Sequence, residues 1–373
     1  MAKLTGFMDY TRKTSTDVPP LERIENFNEF HIWLSREEQQ TQAARCMDCG
    51  VPFCQAGMMI GGMASGCPLN NLIPEWNDLV YQGKWELALR RLRTTNRFPE
   101  FTSRVCPALC EAACTCGDVT GSSVTVRENE HAIVETGYAK GWLHAAPPPA
   151  RTGKSVAVIG SGPAGLACAS DLARMGYEVK IFEALHKVGG VLVYGIPEFR
   201  LPKERIVARE IAQVERLGVG IETDVIVGRT VTIDSLLDDE GYDAVFIGSG
   251  AGLPRFMGIP GENLNGVVSA NEFLTRANLM HAYDKAYDTP IYVGQRVVVV
   301  GGGNVAMDAV RTAKRLGAEA TIVYRRSEKE LPARVEEVHH AKEEGIRFRM
   351  LTNPTAVLGD EKGWVTGLRC VEM

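Results

Sequence analysis

The chain has 373 residues, of which 45% are hydrophobic and 23% are charged. This length and composition indicate a globular protein of two or three domains with a sizeable core. The formal net charge of −5, without a basic stripe, argues against nucleic-acid binding. No apolar signal segment begins the chain, and no later apolar run is long enough to span a bilayer. We therefore expect a soluble, cytoplasmic protein that binds neither nucleic acid nor a membrane.

Cysteines are concentrated in the first third of the chain. Of the ten cysteines, eight lie between Cys46 and Cys116. In a reducing cytosol, such clustering indicates metal binding rather than disulfide bonds. Ser35 and Glu38 have the spacing of a capping box, which predicts a helix that continues to Arg45 and places the first cysteines just after its end.

Further helices are predicted in this cysteine-rich region. Residues 77–93 carry apolar side chains among charges, and Gly83 is expected to interrupt their helix. Pro107 is expected to open another helix, because proline is favoured at the first helical position. Cys116 is out of phase with the earlier cysteines of that helix, and Gly117 is expected to end it. The cysteines that recur at every fourth residue, and are expected on one helix face, are Cys106, Cys110 and Cys114.

The number and spacing of these thiols favour two iron–sulfur clusters, because each cubane takes four ligands. A Cys-x2-Cys-x4-Cys run and two Cys-Pro pairs agree with this interpretation. Two zinc sites would also use eight thiolates, but structural zinc prefers paired Cys-x2-4-Cys motifs, and only Cys46 and Cys49 clearly form one. Zinc and buried thiols without metal remain the alternatives.

Residues 145–150 form a proline-rich linker, which predicts a domain boundary. Beyond it, an apolar strand at 156–159 leads into Gly-x-Gly-x-x-Gly and then into an amphipathic helix, the arrangement of a dinucleotide-binding turn. The next strand, 179–182, ends at Glu183, where an acidic side chain would bind ribose hydroxyls. The cofactor contacts predicted in this turn are Gly160, Gly162, Pro163, Ala164 and Gly165.

Two more glycine-containing segments follow the first turn. The backbone around Gly190, Gly195 and Ile196 is expected to be irregular and to lie against a flat ring. The apolar run 243–247 predicts a strand that returns toward the same cofactor, with an ordinary strand-ending turn as the alternative. The glycines expected near the cofactor at its end are Gly248 and Gly250.

A second strand, glycine turn and helix begin at 296–300, so the site is repeated within the chain. Its second strand, 320–324, ends at Arg325 and Arg326, where the first copy ends at Glu183. Arginines in that place favour a 2′-phosphate, so we predict FAD in the first fold and NADPH in the second. Solvated strand-end charges are the alternative. The contacts predicted in the second turn are Gly301, Gly303, Asn304, Val305 and Ala306.

The chain resembles the family of small (beta) subunits of bacterial NADPH-dependent glutamate synthases over essentially its whole length. The stretches that carry the resemblance are 44–54, 73–81, 104–114 and 194–203. The resemblance implies an α/β protein in which a small α-helical iron–sulfur domain at 1–146 precedes two Rossmann-like domains. The first part of an FAD-binding domain would occupy 151–255, and an NADPH-binding domain would occupy 256–373.

This resemblance also implies an activity. Such a subunit oxidises NADPH at FAD and passes electrons through two [4Fe-4S] clusters to a larger (alpha) subunit of the same hetero-oligomer. There, an FMN site reduces the imine formed from 2-oxoglutarate and glutamine-derived ammonia. Because the redox chemistry belongs to the cofactors, no catalytic side chain is predicted in this chain.

The cluster ligands are also implied by the resemblance. For one cluster they would be Cys46, Cys49, Cys54 and Cys114. For the other they would be Cys67, Cys106, Cys110 and Glu130. Cys116 is the alternative to Glu130 as the fourth ligand of the second cluster.

Members of this family continue with a Gly-Asp-containing segment that completes the FAD site, whereas this sequence ends at Met373. We therefore expect a truncated form that binds FAD weakly or not at all, and tight flavin binding at full occupancy would contradict this. One alternative function is the flavin and iron–sulfur subunit of another NADPH-dependent complex, such as a ferredoxin-linked transhydrogenase or a dihydropyrimidine dehydrogenase-like system. Another alternative is an interaction or scaffold protein that is stabilised by zinc and has no enzymatic turnover.

Overall fold

The computed structural model describes residues 3–61 and 63–373. The first region of the chain is predominantly helical. Its helices are α1 (Gly6–Asp9), α2 (Pro20–Arg23), α3 (Arg36–Ala43), α4 (Ile73–Tyr81), α5 (Trp85–Leu92), α6 (Pro99–Val105), α7 (Leu109–Ala112), α8 (Thr115–Thr120) and α9 (Val126–Ala139). Its short strands form two antiparallel pairs, β1 (Thr16–Asp17) with β2 (His31–Ile32) and β3 (Met58–Ile60) with β4 (Met63–Ser65). Within the described residues, no helix is both long and apolar enough to cross a membrane.

Local sequence signals set several of these boundaries. The predicted capping box before α3 is confirmed, since the Ser35 hydroxyl accepts from the Glu38 N–H and the Glu38 carboxylate accepts from the Ser35 N–H. The predicted interruption at Gly83 is also confirmed, because this residue has φ +71° and separates α4 from α5. The helices pack around a core that includes the fully buried Trp76 and Ile133.

The prediction of one helix from Pro107 to Gly117 is wrong. Cys106 is extended (ψ 138°), as expected for a residue before proline, and Ala108 is left-handed (φ +54°). Only the four residues of α7 are helical before Cys114 becomes extended again and α8 begins. The three cysteines at four-residue spacing therefore do not share a helix face, and Cys116 lies inside the next helix.

The second region is a parallel, doubly wound unit. Its elements are β5 (Ser155–Ile159), α10 (Pro163–Arg174), β6 (Glu178–Phe182), α11 (Val191–Tyr194), a π-helical turn (Lys203–Val207) that continues into α12 (Ala208–Arg216), β7 (Gly220–Glu222), α13 (Ile233–Asp238) and β8 (Ala244–Ile247). The strand order is β7-β6-β5-β8, and all neighbours are parallel. The carboxyl end of β5 therefore lies between the ends of β6 and β8, the place where such sheets bind dinucleotides.

The third region repeats this unit on a smaller scale. Its elements are α14 (Ala270–Asn278), β9 (Arg296–Val300), α15 (Asn304–Arg315), β10 (Glu319–Val323), a 3-10 turn (Glu328–Glu330), α16 (Val335–Glu343), β11 (Arg347–Arg349), β12 (Thr352–Gly359) and β13 (Val365–Glu372). Strands β11, β10 and β9 form a parallel sheet in that order, and β12 pairs with β13 as an antiparallel hairpin. The predicted α/β fold with two Rossmann-like units after a helical region is confirmed.

The helical region packs directly against the first Rossmann-like unit. Phe98 and Phe101, at the start of α6, belong to the same apolar core as Leu166 of α10 and Ile181 of β6. Burial of two phenylalanine side chains stabilises this contact by about 1.5–3 kcal/mol each. The two regions therefore share a core across the proline-rich linker.

A second connection is ionic, and we call it the interdomain ion network. It consists of Arg23, Arg200, Asp308, Arg311, Glu337 and Glu344, all of them buried. Arg200 places Nη1 2.8 Å from both carboxylate oxygens of Asp308. Arg311 and Arg23 both contact Glu344, at 2.8 and 2.9 Å. Since these residues come from all three regions, the network joins the helical region, the first Rossmann-like unit and the second.

Candidate cofactor and metal sites

Five cysteines line one cavity in the helical region, and we call the four of them that were predicted to share a cluster the first thiol group. They are Cys46, Cys49, Cys54 and Cys114. The first three follow α3, whereas Cys114 immediately precedes α8. Phe53 and Val124 line the same cavity and contribute apolar surface. The break between α7 and α8 is what places Cys114 beside cysteines that lie about sixty residues earlier in the sequence.

Burial changes the acidity of these thiols. It raises the pKa of Cys46 to about 11 and that of Cys54 to about 12. The pKa of Cys114 is lowered instead, because the Cys116 thiol donates a hydrogen bond to its sulfur. Metal centres bind thiolates, so iron bound in this cavity would have to displace protons from the buried thiols, and its positive charge would compensate for the desolvation of the thiolates.

Cys116 lies behind Cys114 and lines the same cavity. Its side chain is buried, 4.0 Å from Nη2 of Arg45 and 3.7 Å from the Thr120 hydroxyl. The structure thus places Cys116 with the first thiol group. This position favours Glu130 over Cys116 as a ligand of the other cluster.

The remaining predicted ligands form a second ligand group on four separate segments. They are Cys67, which follows β4, Cys106 at the end of α6, Cys110 on α7 and Glu130 on α9. Burial raises the pKa of each of the three thiols, and the nearby Glu130 carboxylate raises it further. Burial also raises the pKa of Glu130, to about 7. Glu130 therefore lies near the three thiols with which it was predicted to share a cluster.

The two groups are neighbours. The Cys67 N–H donates to the Cys54 carbonyl oxygen at 2.8 Å, so a single backbone hydrogen bond joins a residue of one group to a residue of the other. The β3–β4 hairpin contains most of the spacer between these two cysteines. As the described residues stand, no three histidine, cysteine, aspartate or glutamate side chains are placed to hold a single metal ion. The seven thiols, one of them buried and six partly buried, are the kind of ligand that holds iron–sulfur clusters.

The first glycine turn has the close contacts that its motif requires. A Cβ on Gly165 would lie 1.9 Å from the Gly160 carbonyl oxygen, and a Cβ on Gly160 would lie 2.6 Å from the Gly248 carbonyl oxygen. Gly162 precedes α10, where Pro163 and Ala164 form the exposed first turn. The free N–H groups at this helix start are suited to a pyrophosphate.

Four further predicted residues lie on loops of the same unit. A Cβ on Gly190 would come within 2.8 Å of the Gly162 Cα, so the loop before α11 touches the glycine turn. Gly195 and Ile196 follow α11, and Gly250 follows β8 two residues after Gly248. The structure therefore brings Gly190 and Gly248 against the first turn, with the other three on the adjoining loops.

Sequence analysis missed Asn278, at the end of α14. Its amide Nδ2 donates to the carbonyl oxygens of Tyr194 and Gly195 at 3.4 and 3.3 Å. Its Oδ1 is buried and has no hydrogen-bond partner among the residues that the structure describes. No sequence signal distinguishes this asparagine from others, because its partners are backbone atoms of a loop 83 and 84 residues away.

Glu183 is buried at the end of β6 and already has partners in the protein. One carboxylate oxygen accepts from the Ser161 N–H at 2.8 Å and from the Ser161 hydroxyl, and the other accepts from the Leu185 N–H at 2.9 Å. Each carboxylate oxygen has two lone pairs, so the oxygen bound by Ser161 is fully used and the other can accept one more hydrogen bond, from a ribose hydroxyl. Ser161 is a second residue that sequence analysis missed, and it orients Glu183 within the glycine turn.

The second glycine turn connects β9 to α15. Gly301 opens it with φ +140°, and Gly303 immediately precedes α15. Asn304, at the helix start, accepts a hydrogen bond from the Arg334 N–H at 3.0 Å. Val305 is half-exposed and Ala306 is buried against the core of this unit.

Arg325 and Arg326 follow β10, as predicted, and both are exposed. Among residues 3–61 and 63–373, neither guanidinium has an ion-pair partner; the only hydrogen bond at these positions is from the Leu351 N–H to the Arg326 backbone carbonyl. Both positive charges are therefore available to an anionic ligand beside the second turn.

Comparison with known proteins agrees with this arrangement. Residues 154–372 match the pyridine nucleotide-disulphide oxidoreductase family, and residues 23–142 match the family described as dihydropyrimidine dehydrogenase domain II, 4Fe-4S cluster. The glutamate synthase [NADPH] small chain of Bacillus subtilis is 42% identical over 90% of this chain and 67% of its own length. That of Mycobacterium tuberculosis is 40% identical over 100% of this chain and 77% of its own length. A solved structure of Mycobacterium tuberculosis FprA in complex with NADPH is 21% identical, with a TM-score of 0.46 over 58% of this chain and 67% of that one.

The fold and the two matched regions define an oxidoreductase in which a 4Fe-4S domain precedes dinucleotide-binding units. The identities with the small chains extend across both regions. The chain belongs to the family of glutamate synthase small chains.

Proposed function

We propose that this chain is the electron-input subunit of an NADPH-dependent glutamate synthase. It oxidises NADPH at FAD and passes electrons through two [4Fe-4S] clusters to a larger, FMN-containing subunit. That partner makes L-glutamate from L-glutamine and 2-oxoglutarate. The observation that carries the proposal is the pair of adjacent ligand groups in a region that shares its core with the first dinucleotide-binding unit.

The proposal assigns each cofactor to residues described above. FAD would contact Gly160, Gly162, Pro163, Ala164, Gly165, Glu183, Gly190, Gly195, Ile196, Gly248 and Gly250. NADPH would contact Gly301, Gly303, Asn304, Val305, Ala306, Arg325 and Arg326. The first thiol group would hold one cluster, and the second ligand group would hold the other. When bound, FAD accepts a hydride from NADPH and gives up electrons singly to the clusters.

The chain's own residues would bind and orient the cofactors and keep water away from them. The start of α10 offers N–H groups to the FAD pyrophosphate, and Glu183 offers one lone pair to its ribose. The exposed guanidinium groups of Arg325 and Arg326 offer a bidentate match to the NADPH 2′-phosphate. Apolar neighbours such as Phe53 and Val124 limit water around the first thiol group.

In this proposal the iron–sulfur domain occupies residues 1–146, the first part of the FAD domain 151–255 and the NADPH domain 256–373. The shared core between α6 and the first Rossmann-like unit supports a direct path from flavin to clusters. We place the hetero-oligomer in the cytoplasm, where a reducing environment keeps cysteine thiols available to iron.

The test is an anaerobic absorption spectrum of the purified protein, with iron, sulfide and flavin quantified before and after NADPH is added. We expect about eight iron atoms per chain, as two cubanes require. With FAD added to saturation, we also expect bleaching of the flavin and cluster bands by NADPH. Zinc in place of iron, or iron that does not respond to NADPH, would contradict the proposal.

A second experiment identifies the partner. The match of residues 23–142 to a dihydropyrimidine dehydrogenase domain makes a pyrimidine-reducing partner the competing function. The NADPH-reduced chain is mixed either with a glutamate synthase large subunit or with a pyrimidine-reducing partner subunit. Glutamate formation from glutamine and 2-oxoglutarate with the first partner supports the proposal. If the chain instead supports only NADPH-dependent reduction of uracil with the second partner, the competing function is the correct one.

We predict that replacing Arg325 and Arg326 together by alanine raises KM for NADPH and leaves KM for NADH nearly unchanged. A hydrogen bond to a charged group contributes about 1.5–3 kcal/mol, so the loss is expected to raise KM roughly tenfold or more. Steady-state reduction of ferricyanide by the purified chain measures both constants. Arg369→Ala, which removes an exposed arginine on β13, is the control. Equal changes in KM for the two nucleotides would show that these arginines do not bind the 2′-phosphate.

A further inference from the structure

Glu130 is held by two polar side chains that the ligand assignment does not include. Its Oε1 accepts from the Asn96 amide Nδ2 at 2.9 Å and from the Thr102 hydroxyl. Asn96 precedes α6 and Thr102 lies on it, whereas Glu130 is on α9. Asn96 and Glu130 are 2% and 6% exposed, so these hydrogen bonds are shielded from competing water.

The orientation of the Asn96 amide follows from its other contact. Its Oδ1 accepts from the Phe98 N–H at 3.0 Å, which requires that the NH2 group face the opposite way. That group donates to the Thr102 oxygen at 2.7 Å and to Glu130 Oε1. The single hydroxyl proton of Thr102 is then donated to Glu130, whose Oε1 lies nearer than the other acceptor within reach, the Phe98 carbonyl oxygen at 3.3 Å. All three protons of the pair are therefore used, and two of them are directed at one carboxylate oxygen.

The other carboxylate oxygen has a different environment. The described part of the chain gives Glu130 Oε2 no hydrogen-bond donor. Helix α9, which carries Glu130, nevertheless packs against α6, which is capped by Cys106, and against α7, which carries Cys110. The Arg127 N–H of α9 donates to the carboxylate of Glu111, next to Cys110, at 2.9 Å. Two fixed donors on Oε1 thus determine how the carboxylate is turned relative to the three sulfurs.

We propose that Asn96 and Thr102 are positioning residues that hold Glu130 by Oε1 so that Oε2 ligates the iron–sulfur cluster of the second ligand group. The inference rests on the ligand assignment in the proposed function. Groups that hydrogen-bond to a metal ligand fix its orientation, and their loss typically weakens metal binding about 10–100-fold. Neither residue touches iron, so each acts only through Glu130.

The test compares the cluster-loaded variants Thr102→Val, Thr102→Ser and Thr94→Val with the wild type. Valine removes the hydroxyl at nearly constant volume, whereas serine retains it. Thr94 is exposed, and its hydroxyl donates to the Arg90 carbonyl at 3.1 Å, so Thr94→Val removes a nearby hydroxyl that does not contact Glu130. Iron release to a ferrous chelator and the electron paramagnetic resonance spectrum of the reduced protein are measured. The first thiol group serves as the internal reference.

We expect Thr102→Val to release half of its iron roughly tenfold faster than the wild type and to change the resonance of only one reduced cluster. Thr102→Ser and Thr94→Val are expected to match the wild type. Asn96→Asp, which retains the acceptor for the Phe98 N–H but loses the amide donors, is expected to behave like Thr102→Val. This selective loss is not expected from a general loss of packing, which would affect both clusters and the melting temperature.

Equal iron release from Thr102→Val and Thr94→Val would overturn the inference, as would equal loss of both clusters from Thr102→Val. Glu130→Ala separates this failure from failure of the proposed function. If Glu130→Ala retains both clusters and is still reduced by NADPH, Glu130 is not a ligand and the inference is wrong, although the electron-input function stands. A wild-type chain without iron–sulfur clusters would contradict both the inference and the proposed function.

Discussion

Replacing Arg311 by alanine is expected to lower the free energy of unfolding by about 3–5 kcal/mol, because it removes the buried guanidinium that Glu337 and Glu344 share. Arg311 has no exposed surface and contacts Glu344 through Nε and Nη2, at 3.0 and 2.8 Å, and Glu337 through Nη1. Burial alone would raise the pKa of Glu344, but Arg311 and Arg315 lower it to about 2. Chemical denaturation of the purified protein, followed by circular dichroism, measures the change.

The matched control for this prediction is Arg347→Ala. Arg347 also pairs with a glutamate, Glu319 at 3.7 Å, but both side chains are largely exposed. Exposed pairs contribute about 0–1 kcal/mol, so this variant is expected to unfold almost as the wild type does. If the two variants were destabilised equally, the interdomain ion network would not hold the three regions together.

Replacing Gly165 by alanine is expected to lower the free energy of unfolding of the flavin-free protein by about 3 kcal/mol. The added Cβ would lie 1.9 Å from the Gly160 carbonyl oxygen, which is backbone and cannot rotate away. Either α10 must move from β5 or the turn must change shape, and FAD binding is expected to be lost as well. Thermal unfolding and flavin fluorescence titration measure the two effects.

Gly162→Ala is the control for the steric argument. Nothing lies within 4 Å of a Cβ at this position, and the residue has φ −66°, which alanine adopts easily. Its unfolding free energy is expected to change by less than about 0.5 kcal/mol. FAD binding is nevertheless expected to weaken, because the pyrophosphate approaches this backbone closely. A stable Gly165→Ala protein would show that helix and strand need no close approach there.

Sequence patterns predicted the regular parts of this fold well, since those parts depend on local signals. The capping box at Ser35, the break at Gly83 and both glycine turns are each specified within a few neighbouring residues. In both turns an apolar strand precedes the glycines and a helix follows them. Such local agreement between propensity and pattern is what makes a segment predictable.

The helix predicted from Pro107 shows where periodicity fails. Cysteines at every fourth residue have the spacing of a helix face, but Pro107 forces Cys106 into an extended conformation, and Ala108 is left-handed. The regular spacing was therefore a coincidence, since only Cys110 of the three cysteines lies within a helix. The resemblance nevertheless assigned Cys114 to the first thiol group, and the structure places it there.

The polar contacts that support the sites were beyond prediction from sequence. Asn96, Ser161 and Asn278 each act on a residue that is far away in the chain or on a backbone atom. The same holds for Arg200 and Asp308, whose side chains meet over a separation of 108 residues. Such pairs depend on how the regions pack together, and no local pattern specifies them.

Helix α6 has a consequence for how the parts of the chain communicate. Its amino-terminal end contributes Phe98 and Phe101 to the core of the first Rossmann-like unit. Its carboxyl-terminal end is capped by Cys106 of the second ligand group. A seven-residue helix is too short to bend appreciably. The distance between iron and flavin would therefore be set by the rigid helix α6 rather than by the linker at 145–150. Lengthening that linker with extra glycines should leave the internal rate of electron transfer unaltered.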